Sequence, residues 1–147
     1  MKLVIQRVSK ASVIRHKDGK AVGQIGRGLF ILVGVKKGDN VGMAETLADK
    51  VSKLRVMSDE NDKMNLSVVD TKTEILAVSQ FTLYADTSGG NRPSFIEAED
   101  PDKAKAIYEH FVSKLRERGI KVETGSFGDY MEISAVLDGP VTIILES

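Results

Sequence analysis

The stretch Asp100–Gly119, "DPDKAKAIYEHFVSKLRERG", decides the fold class, because its periodicity and both of its ends agree on a helix. Ala104, Ile107, Tyr108, Phe111 and Leu115 recur at three- and four-residue intervals and make one apolar face. Asp100 is placed to cap the first turn, Pro101 suits the first helical position, and Asp102 complements the positive end of the helix dipole. Lys114, Arg116 and Arg118 favour the opposite end, and Gly119 closes it. The pattern predicts a helix from Pro101 to Arg118 whose apolar face must cover something.

Upstream, Val41 to Val56 repeats the pattern, with Ala44, Leu47, Ala48, Val51 and Leu54 on one face. Most of the remainder reads as strand. Leu3 to Val8 and Ala11 to Arg15 alternate with a period near two, and "HKDGK" (16–20) carries an Asp-Gly turn signal. "GLFILVGV" (28–35) is a continuous apolar run suited to a buried strand. "KMNLSVVD" (63–70) and "EILAVSQFTLY" (74–84) read as strands between the helices; "KVETGSF", "DYMEISAVLD" and "VTIILE" read as strands after them. No repeat, linker or low-complexity segment interrupts the chain. The expectation is one α+β domain over residues 1–147, with a mixed, mostly antiparallel sheet or open barrel and two amphipathic helices.

Composition narrows the chemistry. The chain has 147 residues, enough for a real core, and no cysteine, which excludes disulfides, thiolate catalysis and Cys-ligated metals. Lys plus Arg and Asp plus Glu each number 21, so a globally basic nucleic-acid binder is not expected. Local patches remain: Arg7, Lys10, Arg15, Lys17, Lys20 and Arg27 share a tract with one acid, Asp18. That tract is either a solvated hairpin face or a phosphate-facing patch. The apolar run in "MKLVIQRVSK" is too short for a signal peptide or a membrane span, so a cytoplasmic location without membrane contact is expected.

His16 lies in a turn and His110 on the second helix, with no acidic ligand at matched spacing, so neither a metal nor a cofactor is expected. No nucleophile elbow or phosphate-cradling loop is present, and "GQIGRG" (23–28) follows a hairpin rather than opening a helix. Three features remain. In "SQFTLYAD" (79–86), read as strand, Gln80 and Thr82 share one face and Ser79, Phe81 and Leu83 the other. It is either a strand leaving the core or a strand end offering hydroxyl, amide and backbone N–H groups to a polar ligand; such donors stabilise an oxyanion without histidine. "SGGNRPSF" (88–95) is an ordinary turn or a loop whose Arg92 meets a phosphate or carboxylate. Gly139-Pro140, in "LDGPVTI" (137–143), is a plain turn between two strand-like runs or, with a cis bond, a rigid pair of carbonyls for an ammonium group.

"SQFTL" (79–83), "NRPSF" (91–95) and "DGPVT" (138–142), in this order, together with "IQRVSKASV" (5–13) and "DKMNLSV" (62–68), resemble the D-aminoacyl-tRNA deacylases over essentially the whole chain. The resemblance implies hydrolysis of the ester joining a D-amino acid, or misattached glycine, to the 3′ end of tRNA. It implies a homodimer with a site at each subunit interface and no cofactor. Ser79, Gln80, Phe81 and Thr82 then form the catalytic strand end, the N–H groups near Phe81 and Thr82 receiving the ester carbonyl oxygen. Gly139 and Pro140 reach into the partner's site, where their carbonyls hold the α-ammonium group and leave no room for an L side chain. Arg7 helps to lock that motif, and Met131 lines the pocket. The terminal ribose 2′-hydroxyl assists water; Thr82 as covalent nucleophile ranks second, for want of a visible base. Leu137 departs from the Asn that many members carry before "DGP". The competing readings are a non-catalytic RNA-binding module using the basic N-terminal tract and a purely structural dimer.

Overall fold

A computed structural model describes residues 1–147. The long strand β1 (Lys2–Arg15) is the spine of the sheet, burying Leu3, Ile5, Val8, Ala11 and Val13. Its first half pairs with β3 (Gly28–Gly34) and its second with β2 (Lys20–Ile25), both antiparallel. The last strand, β8 (Met131–Glu146), lies antiparallel along nearly all of β1. β6 (Glu74–Ser79) joins β3 in parallel, and β7 (Val122–Thr124) joins β6 in parallel. The path is β2-β1-β3-β6-β7, with β8 on β1. β2 curls back toward β7, where Gly23 leaves room for the Thr124 carbonyl, so the sheet forms a nearly closed barrel.

Two helices cover one side of this barrel. α1 (Val41–Lys53) and α3 (Pro101–Glu117) bury Ala44, Ala48, Val51, Phe111 and Leu115 against Leu3, Ile5, Ile31 and Ile75. A smaller cluster, including Val8, Val13, Phe30, Leu76 and Val78, fills the other side of the sheet. The expected α+β class, mixed sheet and two amphipathic helices are all present.

Several local expectations fail. α1 ends at Lys53 rather than Val56, since Leu54 turns extended and Val56 enters the core. Asp100 stands at the N-cap of α3, but its side chain makes no capping bond; the Glu99 carboxylate instead accepts the Asp100 N–H at 3.1 Å. The "KMNLSVVD" run splits. Met64–Leu66 (β5) pairs with Met57–Ser58 (β4), and a one-turn helix, α2 (Val68–Thr71), follows. A capping box starts it: Ser67 Oγ accepts the Asp70 N–H at 3.1 Å, and the Asp70 carboxylate accepts the Ser67 N–H at 2.9 Å.

Two corrections bear on function. "EILAVSQFTLY" is strand only to Ser79; Phe81–Tyr84 is a 3-10 turn, so Gln80 and Thr82 do not share a strand face, although their side chains meet. Its neighbour β3 ends at Gly34, and the turn folds over that glycine. A Cβ there would lie 3.1 Å from Leu83 Cβ and 3.2 Å from the Tyr84 ring. Likewise, "LDGPVTI" is no turn between strands. Val8 stands opposite Leu137 and Gln6 opposite Thr142, so Asp138–Val141 bulge from one continuous strand opposite Arg7. The Gly139-Pro140 peptide is cis.

Candidate active site

The carboxyl end of β6 opens into a cleft of about 770 Å³ whose lining includes Ser79, Gln80, Phe81 and Met131. Gln80 N–H makes the last ladder bond, to the Val33 carbonyl at 2.8 Å, and the chain then turns. The amides of Phe81 and Thr82 open the 3-10 turn, where helical geometry supplies no acceptor, and they find none elsewhere in the chain. Two adjacent N–H groups are therefore uncommitted where the chain leaves β6, and of the two residues Phe81 lines the cleft. Thr82 itself does not line the cleft; its Oγ1 accepts a hydrogen bond from Gln80 Nε2 at 2.6 Å. Neither histidine lines it either: His110 reaches Glu45 on α1 at 2.8 Å, and His16 packs edge-on against Tyr130.

The walls are mostly apolar. Phe81 meets Phe95 edge-on at 5.1 Å, and Ile96 follows it along the rim. The loop carrying Phe95 is closed by reciprocal 2.8 Å bonds between Asp86 and Ser94; Arg92, on the same loop, is exposed and outside the cleft. Across the cleft, Met131 Sδ accepts the Ser126 N–H at 3.1 Å and fills the space beside Gly125. Asp129 accepts from Ser126 Oγ at 2.5 Å and from Lys17 Nζ at 3.1 Å. These two contacts, Ser126 foremost, hold its carboxyl below the usual carboxylate range. Glu99 is held low chiefly by Lys103, 2.5 Å away.

Arg7, Gly139 and Pro140 form a separate group and do not line this cleft. Arg7 is only 8% exposed. Its Nε donates to the Asp138 carbonyl at 3.3 Å and forms an ion pair with the Asp138 carboxylate at 3.1 Å; Nη1 donates to the Val56 carbonyl at 2.9 Å and Ser58 Oγ at 3.3 Å. The guanidinium thus ties the bulge on β8 to the β4 segment. Gly139 has φ +129°, in the region that favours glycine, and it and Pro140 are exposed. The rest of β8 shows apolar side chains outward: Val136, Leu137 and Ile144 are 47%, 46% and 63% exposed.

Sequence reading missed Lys37, Glu99 and Phe127 in the cleft, and Ser58 and Asp138 around Arg7. Only Asp138 carried a signal, its place beside Gly139. Of the basic N-terminal tract, Arg7 is buried and Arg15 and Lys17 pair with Asp18 and Asp129, while Lys10, Lys20 and Arg27 are exposed and form no ion pair.

The family model for D-Tyr-tRNA(Tyr) deacylase matches residues 4–146, spanning both groups. The chain belongs to this family. A D-aminoacyl-tRNA deacylase of Thermotoga petrophila is 58% identical over 147 residues, covering 100% of this chain and 97% of the relative. One of Aquifex aeolicus is 52% identical over 147 residues, covering 100% and 98%. Among solved structures, a c-Myc DNA unwinding element binding protein superposes with a TM-score of 0.91 at 40% identity, covering 100% and 99%. A probable eukaryotic D-amino acid tRNA deacylase gives 0.83 at 16% identity, covering 98% and 97%, a likeness of fold. Family membership makes the chain one of a group of hydrolases, and no helix is long and apolar enough to cross a membrane.

Proposed function

We propose that the cleft hydrolyses the ester of D-aminoacyl-tRNA and of glycyl-tRNA, releasing free amino acid and tRNA, in the cytoplasm and as a homodimer. The observation that carries this reading is the pair of uncommitted amides of Phe81, in the cleft lining, and of Thr82, the next residue of the same turn. Water adds to the ester carbonyl carbon, and the carbonyl electron pair moves onto oxygen. The two N–H groups, fixed before the reaction, donate hydrogen bonds to that oxyanion. Collapse breaks the bond to the ribose 3′-oxygen, which leaves with a proton. An aminoacyl ester is already activated, so positioning and charge stabilisation suffice, with the neighbouring 2′-hydroxyl guiding the water. Thr82 as nucleophile ranks second: its oxygen already accepts from Gln80, and no base adjoins it.

Stereochemistry needs a third fixed point. In this reading the exposed Gly139 and Pro140 of one subunit enter the cleft of the other, and their carbonyls hold the α-ammonium. With carbonyl, ammonium and α-hydrogen all placed, an L side chain collides while D side chains and glycine fit. Arg7 braces the bulge for that task. The outward apolar residues of β8 and the separation of the two groups within one chain support a two-subunit site.

The test is release of amino acid from matched D-tyrosyl-tRNA, L-tyrosyl-tRNA and glycyl-tRNA. Rapid loss of the D and glycyl esters alone is expected. Loss of all three esters refutes the stereochemical clamp. Loss of none refutes hydrolysis and favours a nucleic-acid-binding module, the property in the name of the 40%-identical structural neighbour.

A further inference from the structure

We infer that Lys37 is a substrate-contact residue that binds a phosphodiester of the tRNA 3′ end, an assignment resting on the deacylase reading above. Lys37 is the one cation in the lining of the cleft. The acids there are Glu99, Asp100 and Asp129. Glu99 is committed to Lys103 at 2.5 Å, and Asp129 to Lys17 at 3.1 Å. Asp100 forms no ion pair, with Lys37 or any other group, and Lys37 forms none.

The backbone around Lys37 is firmly placed while its ammonium is free. The Lys37 N–H donates to the Glu97 carbonyl at 2.9 Å. Beside it, Lys36 N–H donates to Asp39 Oδ2 at 2.6 Å, and the Lys36 ammonium goes to the Glu97 carboxylate at 3.2 Å. Of two adjacent lysines, one is consumed by the fold and the other is presented to the cleft. A solvated lysine is commonplace on a surface. Here it shares a largely apolar cleft with the free Phe81 amide, and it forms no ion pair with any acid of the lining. The ligand such a cleft suits is an apolar body carrying one anion nearby. An aminoacyl ester on a terminal nucleoside has that form, its anion being the phosphodiester on the nucleoside's 5′ side. Lysine holds phosphate as a point charge, without base preference.

The experiment compares wild type, Lys37→Ala, Lys37→Arg and, as a charge-matched control on α1 outside the cleft, Lys50→Ala. Each is assayed on D-tyrosyl-tRNA across a salt series and on a D-tyrosyl adenosine ester, which lacks the phosphodiester. Lys37→Ala should raise KM for the tRNA about tenfold and cut the preference for tRNA over the nucleoside ester by a similar factor. It should also shallow the dependence of log kcat/KM on log salt by about 0.7, the value of one single-strand phosphate contact. Lys37→Arg should restore both, and Lys50→Ala should move neither. An equal loss on both substrates, or an unchanged salt slope, overturns the assignment and leaves Lys37 as lining only. If wild type discharges neither substrate, the deacylase reading itself fails, a result distinct from an active enzyme with an unaltered slope.

Discussion

Replacing Phe81 by proline isolates the backbone group on which the catalytic proposal rests. Proline removes the Phe81 N–H, which has no acceptor in the fold, so no internal hydrogen bond is lost. The backbone tolerates it. Phe81 is the first residue of a 3-10 turn, where φ near −60° matches the proline ring, and the preceding Gln80, at φ −146° and ψ 91°, lies outside the α region that a following proline disfavours. The side chain changes too, so Phe81→Ala is the reference; it removes the same edge contact with Phe95 but keeps the amide. Losing one preorganised oxyanion donor costs on the order of 10² to 10³ in rate, or about 3–4 kcal/mol of barrier. Single-turnover discharge of D-tyrosyl-tRNA should therefore be slower for Phe81→Pro than for Phe81→Ala by about that factor, with both variants folded by circular dichroism. Rates within about threefold of each other would refute the reasoning and move the oxyanion contact elsewhere.

Asp138→Asn removes the one carboxylate on the buried Arg7 guanidinium while keeping the backbone acceptor; since the Asp138 side chain is 37% exposed, the loss should be about 1 kcal/mol, or about 2–4 °C in Tm by thermal melt, with a reduced ratio of D- to L-tyrosyl-tRNA discharge. Tyr108→Phe deletes a buried 2.9 Å bond to the Ala77 carbonyl, yet that carbonyl keeps the Gly125 N–H at 3.2 Å; a loss of about 1 kcal/mol in urea unfolding is expected, well short of that for an orphaned group. The Asp129 carboxyl is depressed in the fold, chiefly by Ser126 and then Lys17, so its stabilising contribution is complete above the ordinary carboxylate pKa near 4 and is lost as pH falls through the lower folded value. Asp129→Asn should accordingly flatten the acid side of the stability-versus-pH curve, and an unchanged acid limb by denaturant titration would contradict the pairing.

The fold was legible where information is local. The apolar face and punctuation of α3, the face of α1 and the run in β3 each follow from residues a few positions apart. The turn after Ser79 was not, because what ends the strand is Gly34, forty-odd positions away, allowing Leu83 and Tyr84 to close over it. The bulge at Asp138–Val141 exists only relative to the register of β1. Ser58 reaches Arg7 across 51 positions, a contact no spacing rule reveals. Residue chemistry raised Ser79–Thr82 and Gly139-Pro140 only as one of two readings each, and family motifs chose between them. Two free backbone amides leave no mark on side-chain composition, and a cleft lysine is identified only by the absence of partners in space.

If one catalytic site draws on two chains, subunit complementation reveals it most directly. Phe81→Pro disables the cleft; Gly139→Ala disables the bulge, where a Cβ would lie 2.9 Å from Val141 Cγ2 at a φ of +129°. Each variant alone should discharge D-tyrosyl-tRNA poorly. After the two are mixed and subunits exchange at random, about half the dimers are mixed, each with one fully native site, so about a quarter of wild-type activity should return. No recovery despite demonstrated exchange would place the whole site within a single chain and contradict the account.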